Sequence, residues 1–356
     1  MQYDYLIIGQ GISGTFLSYY LGKTGTSFLV IDEKKDNTAS RVAAGLINPV
    51  TGRRLVKSWM TDELMPFAWE AYTTLGNELG IDCIRSTSLL QFFNAPDMEE
   101  AFRRKLHEEP EFLSPPDTYN WKQYFNYPFG WGVIAPCFVV DIASLLESYR
   151  TKLLRDDQLL EDKFSTDELK IEDDQVTYRH IRARKIIFCD GEAGMNSRWF
   201  SRLPYSPNKG EALWVRIPGL PPTHIYKFKQ MLIPVDPSDS LFWFGSGYEW
   251  TYESSEPTEA FRKNAEAELQ RFLQLPFTVV DHKAAIRAAN IERRPFVGLH
   301  PIVQQVGVFN GMGTKGCSLA PYFARQFANH LVHQEPLMPA VNVQRFHSIL
   351  AAHYER

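Results

Sequence analysis

The chain opens on a change of hydrophobic period. Residues 3–8 form a run that is apolar but for Asp4. Phe16, Leu17, Tyr20 and Leu21 then recur at helical spacing, and residues 27–31 form a second apolar run that stops at Asp32. Continuous, then 3.6-periodic, then continuous reads as strand, helix, strand. Further along, the spacing predicts helices over 62–79, 97–107, 140–154, 257–273, 318–333 and 342–353, with Asp141 as the N-cap of the third. It predicts strands over 88–93, 211–217, 230–235, 240–245, 278–289 and 305–309, and a strand over 184–191 that ends in a turn. Residues 159–164, 168–172 and 175–180 read as a meander of short strands, and 108–127 as irregular.

Between the first strand and helix lies Gly9-Gln10-Gly11-Ile12-Ser13-Gly14. Each glycine has a job there. Gly9 allows the tight turn, Gly11 lets a pyrophosphate approach the backbone, and Gly14 lets helix and strand pack closely. Free N–H groups at the helix start, including those of Ile12 and Ser13, attract phosphate oxygens. Asp32, eighteen residues beyond Gly14, is placed to accept hydrogen bonds from ribose hydroxyls, with Glu33 beside it. This is a dinucleotide-binding fingerprint; by itself it does not separate NAD from FAD.

Parallel βαβ patterns recur near 184–191 and 305–333, with antiparallel patterns between them. The expected fold class is α/β. One dinucleotide-binding unit is assembled from 1–82, 140–205 and 286–356, and a second, substrate-binding unit from 83–139 and 206–285. A chain of 356 residues has the length for this.

Composition narrows the class. Hydrophobic content is 44% and charged content 22%, ordinary for a soluble enzyme. A net charge of −4 argues against a general nucleic-acid binder. Cys83, Cys137, Cys189 and Cys317 are scattered, which fits a reducing compartment and neither a zinc site nor a disulfide framework. No metal cluster is expected, and no run is long enough for a membrane span. With a strand beginning at residue 3, the default location is cytoplasmic.

Three further motifs carry a family resemblance. They are the small-residue loop Ala39-Ser40-Arg41-Val42-Ala43-Ala44-Gly45-Leu46-Ile47-Asn48-Pro49, the arginine strand and turn Ile286–Gly298, and Asn310-Gly311-Met312-Gly313-Thr314-Lys315-Gly316-Cys317-Ser318-Leu319-Ala320-Pro321. With the N-terminal fingerprint, the chain resembles the flavin-dependent D-amino-acid oxidase, glycine oxidase and sarcosine oxidase group. The resemblance implies a Rossmann-type FAD-binding domain plus a mixed, mainly antiparallel substrate domain. It favours FAD over NAD, held non-covalently because no cysteine matches the sarcosine oxidase attachment point. Ser40, Ala43, Ala44 and Gly45 would lie along the flavin ring, Gly191 near the cofactor, and the loop Gly311–Gly316, with Met312, Gly313 and Thr314, at its pyrimidine edge.

The implied activity is oxidation of the C–N bond of an amino acid or secondary amine by hydride transfer to flavin N5. O2 or another species is the electron acceptor, and the oligomeric state is open. Arg287 would bind the substrate carboxylate in a two-pronged pair; the alternative is an ion pair with Glu292 or Asp281. Lys315 either faces the flavin or pocket, or is solvated. Arg41 either reaches the pyrophosphate or lies at the surface. Met231 stands where the family has a carboxylate-binding tyrosine, so Tyr248, Trp250 and Tyr226 are candidate replacements. Two other functions remain compatible: action on an aminomethyl-modified tRNA base, and flavin binding without amine chemistry.

Overall fold

The computed structural model describes residues 2–354. Strands β1 (Gln2–Ile8), β2 (Phe28–Ile31), β3 (Leu46–Ile47), β4 (Ile84–Phe92), β5 (Trp131–Val140), β6 (Ile181–Phe188) and β7 (Asn208–Arg216) are followed by β8 (Ile225–Lys227), β9 (Met231–Asp236), β10 (Leu241–Gly245), β11 (Thr278–Arg287), β12 (Phe296–Leu299) and β13 (Val306–Asn310). The helices that frame the site are α1 (Ile12–Lys23), α2 (Thr61–Leu79), α3 (Ile142–Arg155) and α4 (Gly316–His333).

The first sheet has a parallel core in the order β13-β6-β1-β2. Its strands are apolar on both faces, as parallel strands covered by helices must be. On one face α1, α2, α3 and α4 bury Phe16, Tyr72, Tyr149 and Phe323; Phe16 and Tyr72 meet edge to face with centroids 5.0 Å apart. On the other, Phe188, Trp199 and Val306 pack with Leu350. The second sheet runs β11-β7-β10-β9-β8-β4-β5-β3. It is antiparallel except where β8 joins β4.

Several expectations need correcting. The strand β5 lies in a stretch given no regular structure, and Val140 ends it instead of starting the next helix. That helix begins at Ile142, with Asp141 accepting from the Ser144 N–H at 3.0 Å as N-cap. Only Leu159–Leu160 of 159–164 is a strand, and it pairs parallel with β2. Leu169–Ile171 and Val176–Tyr178 form the antiparallel edge beside β6. The last helical segment starts as a 3-10 turn, Val343–Phe346, before His347–Tyr354.

The connection after Asp32 is ordered between the two sheets. It contains a short helix, Ala39–Val42, and then β3, which pairs with β5. Trp243 Nε1 on β10 donates to the Val42 carbonyl at 3.0 Å, and the Val140 N–H donates to the Gly45 carbonyl at 3.0 Å. Gly45 has φ +75°, and a Cβ there would lie 1.9 Å from the Val140 oxygen. Only glycine permits this approach.

Candidate active site

A cavity of about 770 Å³ follows the seam between the sheets. At one end it is lined by Gly9, Gly11, Ile12, Ser13, Asp32 and Glu33. The turn from β1 into α1 aims the start of that helix into the cavity, and Ser40 Oγ accepts from the Ile12 N–H at 3.0 Å. Gly11 lines the cavity, and a Cβ there would come within 3.1 Å of one side-chain atom, Ser40 Oγ. Gly14 does not line the cavity. A Cβ on it would sit 1.9 Å from the Gly9 carbonyl oxygen, so it serves helix–strand contact, as its spacing implied.

Asp32 is held by partners that its position in sequence does not reveal. Its Oδ2 accepts from the Gln10 N–H at 2.9 Å, and its Oδ1 from the Lys34 N–H at 2.8 Å and from Arg150 Nη1 at 2.7 Å. A carboxylate has about four acceptor positions. Three are taken, which leaves Asp32 room for one ribose hydroxyl rather than two. Arg150 on α3 has a side chain only 1% exposed and also pairs with Glu161 at 2.8 Å. It was missed because a lone arginine in an amphipathic helix looks like a solvated position.

The middle of the cavity is lined by Ser40, Ala43, Ala44 and Gly45 on one side and by Asp190 and Gly191 on the other. Burial pushes the Asp190 carboxyl up to about 7, moderated by its own backbone N–H and by Asn310 Nδ2, which donates at 3.2 Å. Arg41 is not among the lining residues; its guanidinium lies 3.9 Å from Glu147. Gly311 is also outside the lining, with φ +78° and its carbonyl accepting from Asn290 Nδ2 at 2.8 Å.

Met312, Gly313, Thr314, Lys315 and Gly316 line the far end, where α4 starts without a side-chain cap. Positive potential from the uncapped helix start therefore faces the cavity. Lys315 Nζ donates to Asn48 Oδ1 at 2.9 Å and Ser58 Oγ at 3.3 Å. Burial lowers its pKa to about 8.

The second sheet closes the cavity with Met231, Trp243, Tyr248 and Arg287. Arg287, last residue of β11, is paired with neither Glu292 nor Asp281. Its Nη1 donates to Asn208 Oδ1 at 2.7 Å and the Gly247 carbonyl at 3.2 Å, and its guanidinium lies 4.8 Å from the Tyr248 ring centroid. Among the described residues no carboxylate forms an ion pair with it. Glu211 also lines the cavity but is engaged by Thr258, His282 and Lys209. Of the candidate tyrosine replacements, only Tyr248 reaches the cavity. Tyr226 is buried in the core of the second sheet with its hydroxyl on the Pro221 carbonyl, and Trp250 is 62% exposed.

A glycine-turn helix start, an acid at the end of the second parallel strand, a small-residue wall and a glycine loop opposite it define a dinucleotide-dependent oxidoreductase of the flavin type. A family model for FAD-dependent oxidoreductases, the DAO family, matches residues 4–330, and the chain belongs to that family. FAD is the family's cofactor, and the residues fit it. Gly11 leaves the backbone open where phosphates approach, Asp32 keeps one acceptor free, and Ala43–Gly45 offers no side chain that would collide with a flat ring.

Solved structures share the fold. Iminodiacetate oxidase (IdaA) from Chelativorans sp. BNC1 is 21% identical with a TM-score of 0.73, covering 94% of this chain and 96% of that one. Glycine oxidase from Bacillus cereus ATCC 14579 is 15% identical with a TM-score of 0.77 over the same shares. Among curated proteins, the uncharacterized oxidoreductase YurR of Bacillus subtilis (strain 168) is 40% identical over 56 residues, 16% of this chain and 15% of YurR. The chain thus matches YurR over a small part of that protein's length. Among the described residues, no helix is long and apolar enough to cross a membrane, and no group of three or more His, Cys, Asp or Glu is placed to hold a metal ion.

Proposed function

We propose that this protein oxidises the C–N bond of a small amino acid or secondary amine, holding the substrate carboxylate on Arg287. One observation carries the reading: a cavity-lining guanidinium, largely withdrawn from water, that has neutral hydrogen-bond partners and no carboxylate. A desolvated cation without an anion is expensive, and a planar fork suits a carboxylate. Only Nη1 is engaged by protein atoms among the described residues, so Nη2 and Nε are free to donate.

The bound flavin supplies a two-electron oxidant. The protein binds, orients and excludes water. Tyr248, 59% exposed, covers the guanidinium from the solvent side. Met231, Ile233 and Trp243 give an apolar wall beside it, which keeps water from the reacting carbon. Iminodiacetate oxidase and glycine oxidase, which share the fold, are named for small amines bearing carboxylates, and this supports the substrate class.

The test is an anaerobic screen of the FAD-loaded protein with glycine, D- and L-amino acids and N-methyl amino acids, followed by its visible spectrum. Bleaching by at least one of them is expected. Arg287→Lys, which keeps the charge but loses the fork, is expected to raise KM by tenfold or more while changing kcat less. A spectrum that no amine bleaches overturns the reading.

A further inference from the structure

Arg287 is not the only cation that the cavity leaves without an anion. Lys315 and Lys227 also line it, the first from the glycine loop and the second from the end of β8. Among the described residues, the Lys315 ammonium has only Asn48 and Ser58, both neutral, as partners. Lys227 Nζ makes no hydrogen bond or ion pair with any described residue. The charge of Lys227 reaches Lys315: burial is the main cause of the lowered pKa of Lys315, Cys137 and Cys317 oppose it, and Lys227 adds to it. Two like charges, partly desolvated and close enough to repel, destabilise the fold unless an anion joins them.

Their placement relative to Arg287 gives the spacing. Arg287 ends β11 and Lys227 ends β8, at opposite sides of the run β11-β7-β10-β9-β8. Met231 pairs with both Lys227 and Gly245, so the apolar wall stands between the two cationic poles. The row through Lys227 meets β11 at Lys283, four residues short of Arg287, so four strand spacings across and four residues along separate the backbones, roughly 23 Å, which the long side chains shorten. Beyond Lys227 a second cavity of about 330 Å³ opens, sharing Gly52, Lys227 and Lys229 with the first and adding Arg53.

The geometry points to a second anion subsite, built from Lys315 and Lys227 across the cavity from Arg287. The substrate is then an amine with an acidic group at each end, an amino dicarboxylate or an N-carboxyalkyl amino acid. The two-ended substrate rests on the proposed role of Arg287; the lysine subsite itself does not.

Titration calorimetry of the FAD-loaded protein tests this with unreactive probes: butyrate, valerate and hexanoate against succinate, glutarate and adipate. At least one dicarboxylate is expected to bind 30-fold or more tightly than the monocarboxylate of equal length. Lys227→Met and Lys315→Met should each reduce that ratio at least fivefold. Lys227 belongs to β8 and not to the glycine loop, so its variant answers even if Lys315→Met fails to hold flavin. Arg287→Met separates the two ideas. If it abolishes monocarboxylate binding, both readings gain. If it leaves every affinity unchanged while the lysine variants lower them, the Arg287 reading falls and the subsite stands. Equal binding of mono- and dicarboxylates, or an unchanged ratio in both lysine variants with the visible spectrum of the flavin shifted in Lys315→Met, overturns the subsite.

Discussion

Gly210 makes the space that Arg287 fills. A Cβ built on Gly210 would lie 1.9 Å from Arg287 Nη2 and 2.1 Å from Cζ. Gly210 pairs with Ala285 and Asn208 with Arg287, so the two are diagonal neighbours on one face of β7 and β11. A glycine on one strand therefore sets where a guanidinium on the next can lie. A motif search sees the arginine and passes over the glycine.

Gly210→Ala is expected to push the guanidinium off its Asn208 and Gly247 partners. KM for the amine should rise tenfold or more, about 1.4 kcal/mol of lost binding, while bound flavin per protein stays constant. Steady-state kinetics with a flavin count checks this. An unchanged KM would mean that the guanidinium in its present position does not touch substrate.

The Arg150–Asp32 pair predicts a defect of a different kind. Arg150 bridges Asp32, Glu161 and the Gln10 side chain from a position 1% exposed. Arg150→Met removes charge-assisted hydrogen bonds and leaves Asp32, with a side chain 19% exposed, without its cation. A loss of about 2–3 kcal/mol in unfolding free energy is expected, together with weaker FAD binding as Asp32 loses its orientation. Thermal unfolding of the apo-protein and fluorescence titration with FAD measure the two separately.

The contrast between these residues shows what a sequence carries. The fingerprint Gly9–Gly14 with Asp32 is legible because its parts are neighbours along one βαβ unit, where spacing is geometry. Arg287, Lys315 and the small-residue loop stand out through motif order, and they line one cavity; Tyr248 was one of three candidates that motif order does not separate. Arg41 and Gly311 were not separable from their neighbours, because which residue of a loop turns inward is decided by contacts with other elements. The strand β5 was hidden by its composition. Its run from Trp131 to Val140 contains Pro136 and merges into the following helix with no polar break before Asp141. Arg150, Gly210 and Lys227 act on partners 118, 77 and 88 positions away (Asp32, Arg287 and Lys315), and no local pattern announces such a pairing.

Lys315 predicts a pH dependence. Its folded pKa is about 8, against 10.5 in an exposed chain, with burial as the main cause. The thiols that face it, Cys137 and Cys317, are themselves pushed up to about 12 by burial and stay neutral in this range; Lys227 also faces it, its own pKa lowered by burial. Between pH 8 and 10.5 the unfolded chain holds the Lys315 proton and the folded one does not. Its contribution to stability therefore rises with pH across that window, and its penalty is fully present below pH 8. Binding behaves oppositely. Dicarboxylate affinity should fall as pH rises through about 8, while monocarboxylate affinity, resting on a guanidinium, stays level to pH 9. Parallel titrations of succinate and butyrate at pH 6.5, 8 and 9 check this, and identical pH profiles would refute it.

Gly11 and Gly14, three residues apart at the start of α1, should fail in opposite ways. A methyl on Gly14 would meet the Gly9 carbonyl oxygen at 1.9 Å and the Cys189 side chain at 3.5 Å, and backbone cannot retreat as a flexible side chain can. Gly14→Ala must therefore separate α1 from β1, a contact made whether or not cofactor is present, and a loss of roughly 1–3 kcal/mol is expected from overpacking. Gly11 has φ −77° and ψ −168°, ordinary extended backbone for any residue, and its methyl would meet only Ser40 Oγ at 3.1 Å. Gly11→Ala should leave the apo-protein within about 0.5 kcal/mol of its parent. The methyl instead occupies space on the cavity side of the helix start, where a phosphate needs the N–H groups bare. FAD affinity is expected to drop at least tenfold in Gly11→Ala, with the melting temperature of the apo-protein unchanged. Differential scanning calorimetry of both apo-variants, set beside FAD titrations, decides between the roles. If Gly11→Ala binds FAD like the parent, the turn is a packing device only and the phosphates lie elsewhere.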